Sequence, residues 1–220
     1  MCWNETISLN TFIFTTGCLL FIAYNHYYTK YKLPEFRNPA IYLVIVSFTS
    51  IQLVEYFLWR SIKTNNKNMN YFASIIGWIF IYVIQPAILL YIAPQKYEMQ
   101  RNILATIYST VFVAVNLYKY LYSPFIFQTG IRNNGHLDWL WFYLNGYERI
   151  LAVCYFACFI FLFLQFPIII SIIFAILFYL YAKYEKVWGS LWCFLFNGIM
   201  ILLLIELLVV LPYKEYRTIC

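Results

Sequence analysis

Seven apolar runs succeed one another along the chain, at residues 7–28, 39–60, 71–93, 102–122, 146–164, 167–183 and 189–211. Crossing the hydrocarbon core of a bilayer as a helix takes about 20 mainly apolar residues, and inside lipid every backbone N–H and C=O must be paired within the protein. Only helices or a closed barrel meet that condition. The runs are continuous and lack the strict in/out alternation of a barrel strand, so the expected fold is all-α, a polytopic bundle of seven transmembrane helices. Composition agrees: 64% of residues are hydrophobic and 11% charged, where soluble domains run near half and a quarter. No connection is long and polar enough for a soluble unit, so residues 1–220 are expected to form one domain.

Seven spans place the termini on opposite sides. The near side, with the N-terminus, then takes the loops around 65, 130 and 185, and the far side those around 33, 97 and 166. Eight of the Lys and Arg residues fall on the near side and seven on the far side, so the positive-inside rule does not orient the chain. The sequon Asn4-Glu5-Thr6 points the N-terminus to the lumen or the exterior. MCWNETISLN lacks a basic segment and a cleavage site before the first run, which predicts a retained span. Gln165-Phe166-Pro167 predicts a tight helical hairpin.

The longest connection, residues 123–145, is rich in aromatic residues and is expected to lie at the interface or fold over the near side as a lid carrying His136, Asp138, Trp139 and Trp141. Asn134-Gly135 marks a turn within it, and Asp138 is placed to cap a short helix bearing the two tryptophans.

Against this background the polar residues inside spans stand out. At 1.5 Å per helical residue, Glu55 lies about 7 Å and Gln52 about 12 Å in from the near side, and Asn116 and Asn197 come to a similar depth. Gln52, Glu55 and Trp59 share a face of the second span. Tyr71, Ser74, Trp78, Tyr82 and Gln85 form a stripe on the third, and Ser109, Asn116 and Tyr120 share a face of the fourth. An acid at this depth costs a few kcal/mol and survives only facing the bundle interior, a polar partner or water, so Glu55 points inward. Two readings stay open: a functional carboxylate in a pocket open to the near side, or a hydrogen-bonded residue that locks helices together. Glu206 lies near the far side, with Lys30, Lys32 and Arg37 as candidate partners. Pro86 removes the backbone bond to Tyr82, which predicts a kink and a freed carbonyl.

Other chemistry is poorly supplied. Cys154 and Cys158 share a helix face with no His or acid beside them, a packing pattern. His26 and His136 fall on opposite sides, so the three-ligand zinc site of His-based seven-span lipid hydrolases cannot be assembled. No Lys falls between Trp188 and Leu211 to hold retinal. No cofactor, metal or nucleic-acid partner is expected; the +6 net charge suits anionic headgroups. A homo-oligomer is allowed, although no small-xxx-small ridge marks an interface.

The opening MCWN with SLNTF, the second-span IQLVEYFLWR, the Gln85-Pro86 pair and GHLDW in the long loop resemble a family of uncharacterised multi-pass membrane proteins encoded by large DNA viruses and protists. The resemblance covers nearly the whole chain. It implies a shared membrane fold and carries no catalytic or binding role. The residues themselves favour a small channel or transporter for an ion, proton or small solute, with Gln52, Glu55, Trp78, Tyr82, Gln85, Asn116 and Asn197 along its path. The alternatives are a membrane-embedded lipid-modifying enzyme, for which His136 or Glu55 would be the acid/base although no catalytic site is completed around either, and a non-catalytic membrane-organising protein.

Overall fold

The computed structural model describes residues 4–122, 126–132, 135–141, 146, 148–164, 176 and 188–219. Five helices are long and apolar enough to cross a membrane. They are α1 (Glu5–Tyr28), α2 (Ala40–Lys63), α3 (Lys67–Tyr91), α4 (Glu98–Tyr122), and α7, which begins as Trp188–Ile205 and continues through Glu206–Val210 into Leu211–Ile219. The protein is therefore mostly helical with several candidate crossings, and the expectation of seven is corrected to five among the described residues.

The discrepancy has two sources. The run at 146–164 gives only a shorter apolar helix, α5 (Glu148–Cys158) followed by the single turn α6 (Ile160–Phe163). At their junction Phe159 N–H donates to Phe156 O and Leu162 N–H to Phe159 O, a tightening of the turn that hydropathy does not register. The run at 167–183, and with it the Gln165-Phe166-Pro167 hairpin, lies outside the described residues.

Polar residues ahead of the apolar runs set the starts of α1 and α3. The Asn4 side chain accepts from Ile7 N–H at 2.9 Å and that of Asn66 from Met69 N–H at 3.0 Å, satisfying amides that a helix N-terminus leaves without intrahelical partners. Packing follows from side-chain pairs. Glu5 lies 3.5 Å from both Arg60 and Lys63, so α1 and α2 run antiparallel. Ser61 meets Asn70, and Ser47 meets Gln85, so α2 and α3 do likewise. Thr15 bonds Asn197 while Lys30 and Tyr31 bond Glu215, so α7 runs parallel to α1. The near end thus holds the start of α1, and the far end holds the C-terminal turns of α7.

α3 and α7 each contain a π-helical turn, Phe80–Ile84 and Glu206–Val210, and each turn ends two residues before a proline, Pro86 and Pro212. A proline ring clashes with the carbonyl four residues back, and the wider π turn moves that carbonyl away. In α3 the Gln85 N–H reaches back five residues to Phe80 O.

The segment expected to hold a short helix is a β-hairpin instead. β1 (Thr129–Ile131) pairs antiparallel with β2 (Leu137–Trp139), in the register Thr129↔Trp139, Gly130↔Asp138 and Ile131↔Leu137. Gly135 sits in the turn at φ +78°, a conformation open to glycine, and donates to Arg132 O. Asp138 caps no helix; it pairs across the hairpin with Arg132 at 2.6 Å.

Candidate functional site

The hairpin is docked on the near ends of α2 and α3 by a small polar cluster. Asn70 on α3 donates from Nδ2 to Thr129 O at 2.9 Å, and its Oδ1 accepts from Thr129 N–H at 2.8 Å. One side-chain amide thereby satisfies both backbone groups of a strand residue, as a neighbouring strand would. Asn70 Nδ2 also donates to Ser61 Oγ of α2 at 3.0 Å. The Thr129 hydroxyl shares a hydrogen bond with Ser74 at 2.9 Å and accepts from the Trp141 indole N–H at 3.0 Å. Leu137 and Trp139 cover the apolar patch formed by Val54, Leu58 and Ala73, and Trp139 stacks on Trp141 with ring centroids 5.0 Å apart. Trp141 is buried, while His136, Asp138 and Trp139 are half-buried. Burial pushes the His136 imidazole below its usual value.

Beneath the hairpin α2 carries three polar residues one turn apart, Thr49, Gln52 and Glu55, exposed by 3%, 0% and 1%. Their spacing of three keeps them on one side of the helix. Among the described residues, neither polar atom of the Gln52 side chain nor the Thr49 hydroxyl, all buried, has a hydrogen-bond partner. The same side carries Phe48, which packs on Phe159 and on Phe196, so the stripe faces the interior between α5 and α7.

The remaining candidates are distributed through the bundle. Tyr82 and Gln85 are buried. The Tyr82 carbonyl, freed by Pro86, accepts the Tyr108 hydroxyl of α4 at 2.6 Å. Gln85 Oε1 accepts the Tyr155 hydroxyl of α5 at 2.6 Å, and its Nε2 lies 3.5 Å from Ser47 O of α2. Trp78 is half-buried among Tyr82, Phe112 and Phe127. Asn116 donates back to Phe112 O of its own helix at 2.7 Å. Asn197 accepts the Thr15 hydroxyl of α1 at 2.5 Å. These bonds run to neighbouring helices or to the residue's own: Asn116 turns back to Phe112 and Asn197 turns to Thr15, away from Gln52. Tyr71, grouped with the stripe on α3, is exposed.

Glu206 pairs with Lys214 at 3.3 Å along its own helix, in place of the expected Lys30, Lys32 or Arg37; Lys30 goes to Glu215. Cys18, Cys154 and Cys158 are free and buried, and the Cys158 thiol donates to Cys154 O at 3.3 Å. Among the described residues no three His, Cys, Asp or Glu side chains gather to hold a metal ion.

Sequence reasoning missed Asn70, Thr129, Tyr108, Tyr155, Thr15 and Thr49. A signal existed for two of them: Asn70 lies four residues before Ser74 on α3, and Thr49 three before Gln52 on α2. No protein-family model, curated protein or solved structure matches the chain.

Proposed function

We propose that this multi-pass membrane protein binds and passes a small cation, proton or polar solute at the α2 stripe of Thr49, Gln52 and Glu55. In this reading Trp78, Tyr82, Gln85, Asn116 and Asn197 brace the helices around it. The docked hairpin, with His136, Asp138, Trp139 and Trp141, is its near-side cover. The observation that carries the reading is Gln52: a fully buried amide with neither end bonded among the described residues, one turn from a buried carboxylate. An unsatisfied buried polar group costs about 1–3 kcal/mol, which a leucine of similar size would remove. Water or a transported solute supplies the missing partners.

A membrane-organising role is the second reading, favoured by the bonding of Gln85 to Tyr155, the Tyr82 carbonyl to Tyr108 and Asn197 to Thr15, contacts that tie helices together. An N-terminus in the lumen or exterior rests on the Asn4-Glu5-Thr6 sequon alone, and membership of a viral and protist family on the short motifs alone.

The test is flux of protons, potassium, sodium and chloride into liposomes carrying wild type or Glu55→Gln. Glu55→Gln keeps size and hydrogen bonding but removes the titratable charge. Flux in wild type that is lost or shifted in pH dependence in the variant supports the reading. Equal flux removes Glu55 from the path. No flux of any ion gives the ground to the organising and lipid-modifying readings.

A further inference from the structure

Of the five candidate spans α4 is the least buried, and at its far end it carries a groove of about 770 Å³. Gln95 and Lys96, from the 3-10 turn Gln95–Tyr97 that precedes α4, form its mouth. Below them Met99, Ile103 and Ile107 repeat every four residues and make one apolar rail. Asn102 and Thr106 run beside it as a second, polar rail. From Met99 to Ile107 the rail descends about 12 Å at 1.5 Å per residue, most of one leaflet of a hydrocarbon core about 30 Å thick.

The charges at the mouth are not balanced. Glu98 is held by Arg101 at 3.3 Å, and among the described residues Lys96, over the Tyr97 ring at 4.8 Å, has no acidic partner. Asn102 Oδ1 accepts from Arg101 Nε at 3.3 Å and the Thr106 hydroxyl donates to the Asn102 backbone carbonyl at 2.9 Å, so the side-chain N–H₂ of Asn102 is a donor beside the apolar rail. The far end as a whole carries Lys30, Lys32, Arg37, Lys96, Arg101, Lys214 and Arg217 against Glu35, Glu98, Glu206 and Glu215.

A cation and amide donors at the headgroup level, with an apolar track running from them toward the membrane centre, match the order of groups in a phospholipid. We propose that this groove is a binding site for one anionic phospholipid, its phosphate at Lys96 and Gln95, its ester oxygens at Asn102 and one acyl chain along Met99, Ile103 and Ile107. A second copy of the chain fits less well, because an interface between apolar helices gains nothing from an unpaired ammonium and bare amide at its edge.

The test places a fluorophore on Ile103→Cys in a variant whose native cysteines are replaced. Val113→Cys, exposed on α4 beyond the groove, serves as control. Each is reconstituted into phosphatidylcholine vesicles with a minor fraction of phosphatidylglycerol, and bromine is carried on the acyl chains of one lipid or the other. Quenching at position 103 by brominated phosphatidylglycerol is expected to exceed, several-fold, that expected from its share of the bilayer. At position 113 it follows that share. Lys96→Gln, at an exposed site, is expected to bring position 103 to the level of position 113. Quenching in proportion to bulk composition at both positions overturns the proposal. So does efficient disulfide formation between copies through Ile103→Cys, which assigns the face to self-association.

Discussion

Gly77 of α3 lies directly under the Trp141 indole: a Cβ built at this glycine would stand 3.0 Å from ring atoms Cη2 and Cζ2 and 3.3 Å from Val54. The glycine is the notch that admits the tryptophan, and Trp141 in turn brings its N–H to Thr129, the residue Asn70 holds. Gly77→Ala forces the ring outward and is expected to weaken hairpin docking by about 1–3 kcal/mol, as overpacking does. Faster proteolysis between residues 126 and 141 in native membranes, with unchanged helix content, is the expected sign. A hairpin as resistant as wild type would show that Trp141 shifts without loss.

Asn70 bonds both backbone groups of Thr129, so Asn70→Ala strands a buried N–H and C=O together. Docking is expected to weaken by about 1–3 kcal/mol, with the Thr129 amide exchanging faster with solvent. Asn70→Asp retains the acceptor and loses the donor. Thr129 exchange between those of wild type and Asn70→Ala is expected for it, and exchange equal to wild type in both variants would remove Asn70 as the anchor.

Depths were legible in the sequence, partners were not. The apolar runs begin at 7 and 71, whereas the helices begin at Glu5 and Lys67, because the Asn4 and Asn66 side chains accept from first-turn amides and carry the helices past the end of the apolar pattern. Burial of Gln52, Glu55, Tyr82 and Gln85 followed from depth and helical face. Depth says only that a polar group needs a partner, and which helix supplies it depends on packing. Gln85 finds Tyr155, 70 residues away, and Thr15 finds Asn197 across 182. The hairpin was missed because three-residue strands carry too little alternation to outweigh the capping signal of Asp138, which its cross-strand pairing with Arg132 overrode. Counting apolar runs failed at Phe159, where two short-range bonds shorten a helix inside an unbroken apolar run.

The Tyr108 hydroxyl satisfies the carbonyl that Pro86 leaves open. Tyr108→Phe is expected to cost about 1–3 kcal/mol in a detergent unfolding titration, since a buried acceptor loses the hydroxyl that donates to it. Tyr91→Phe, at an exposed ring, is expected to change stability by less than about 0.5 kcal/mol. Equal values for the two would show that α3 re-satisfies the carbonyl by itself.

His136 gives the hairpin a pH dependence. Its docked value lies below the ordinary one of about 6.5, so above that pH both docked and released forms are neutral and the full docking stability is present. As pH falls through about 6.5 the released hairpin takes up the proton first, and docking weakens. Proteolysis of the hairpin should therefore quicken on acidification and stop doing so in His136→Gln. Acid sensitivity that persists in His136→Gln would assign it to another group.

If the buried Gln52 amide contacts what the protein carries, replacing it by an apolar side chain should stop transport. Gln52→Leu fills the same volume and removes the orphan polar atoms, so the variant should fold with equal or greater stability. The deciding measurement is ion flux through Gln52→Leu in liposomes, side by side with wild type. Flux falling to the level of empty liposomes in a stably folded variant is the predicted result. Flux at the wild-type rate would contradict the claim and leave Gln52 as a residue of the bundle core alone.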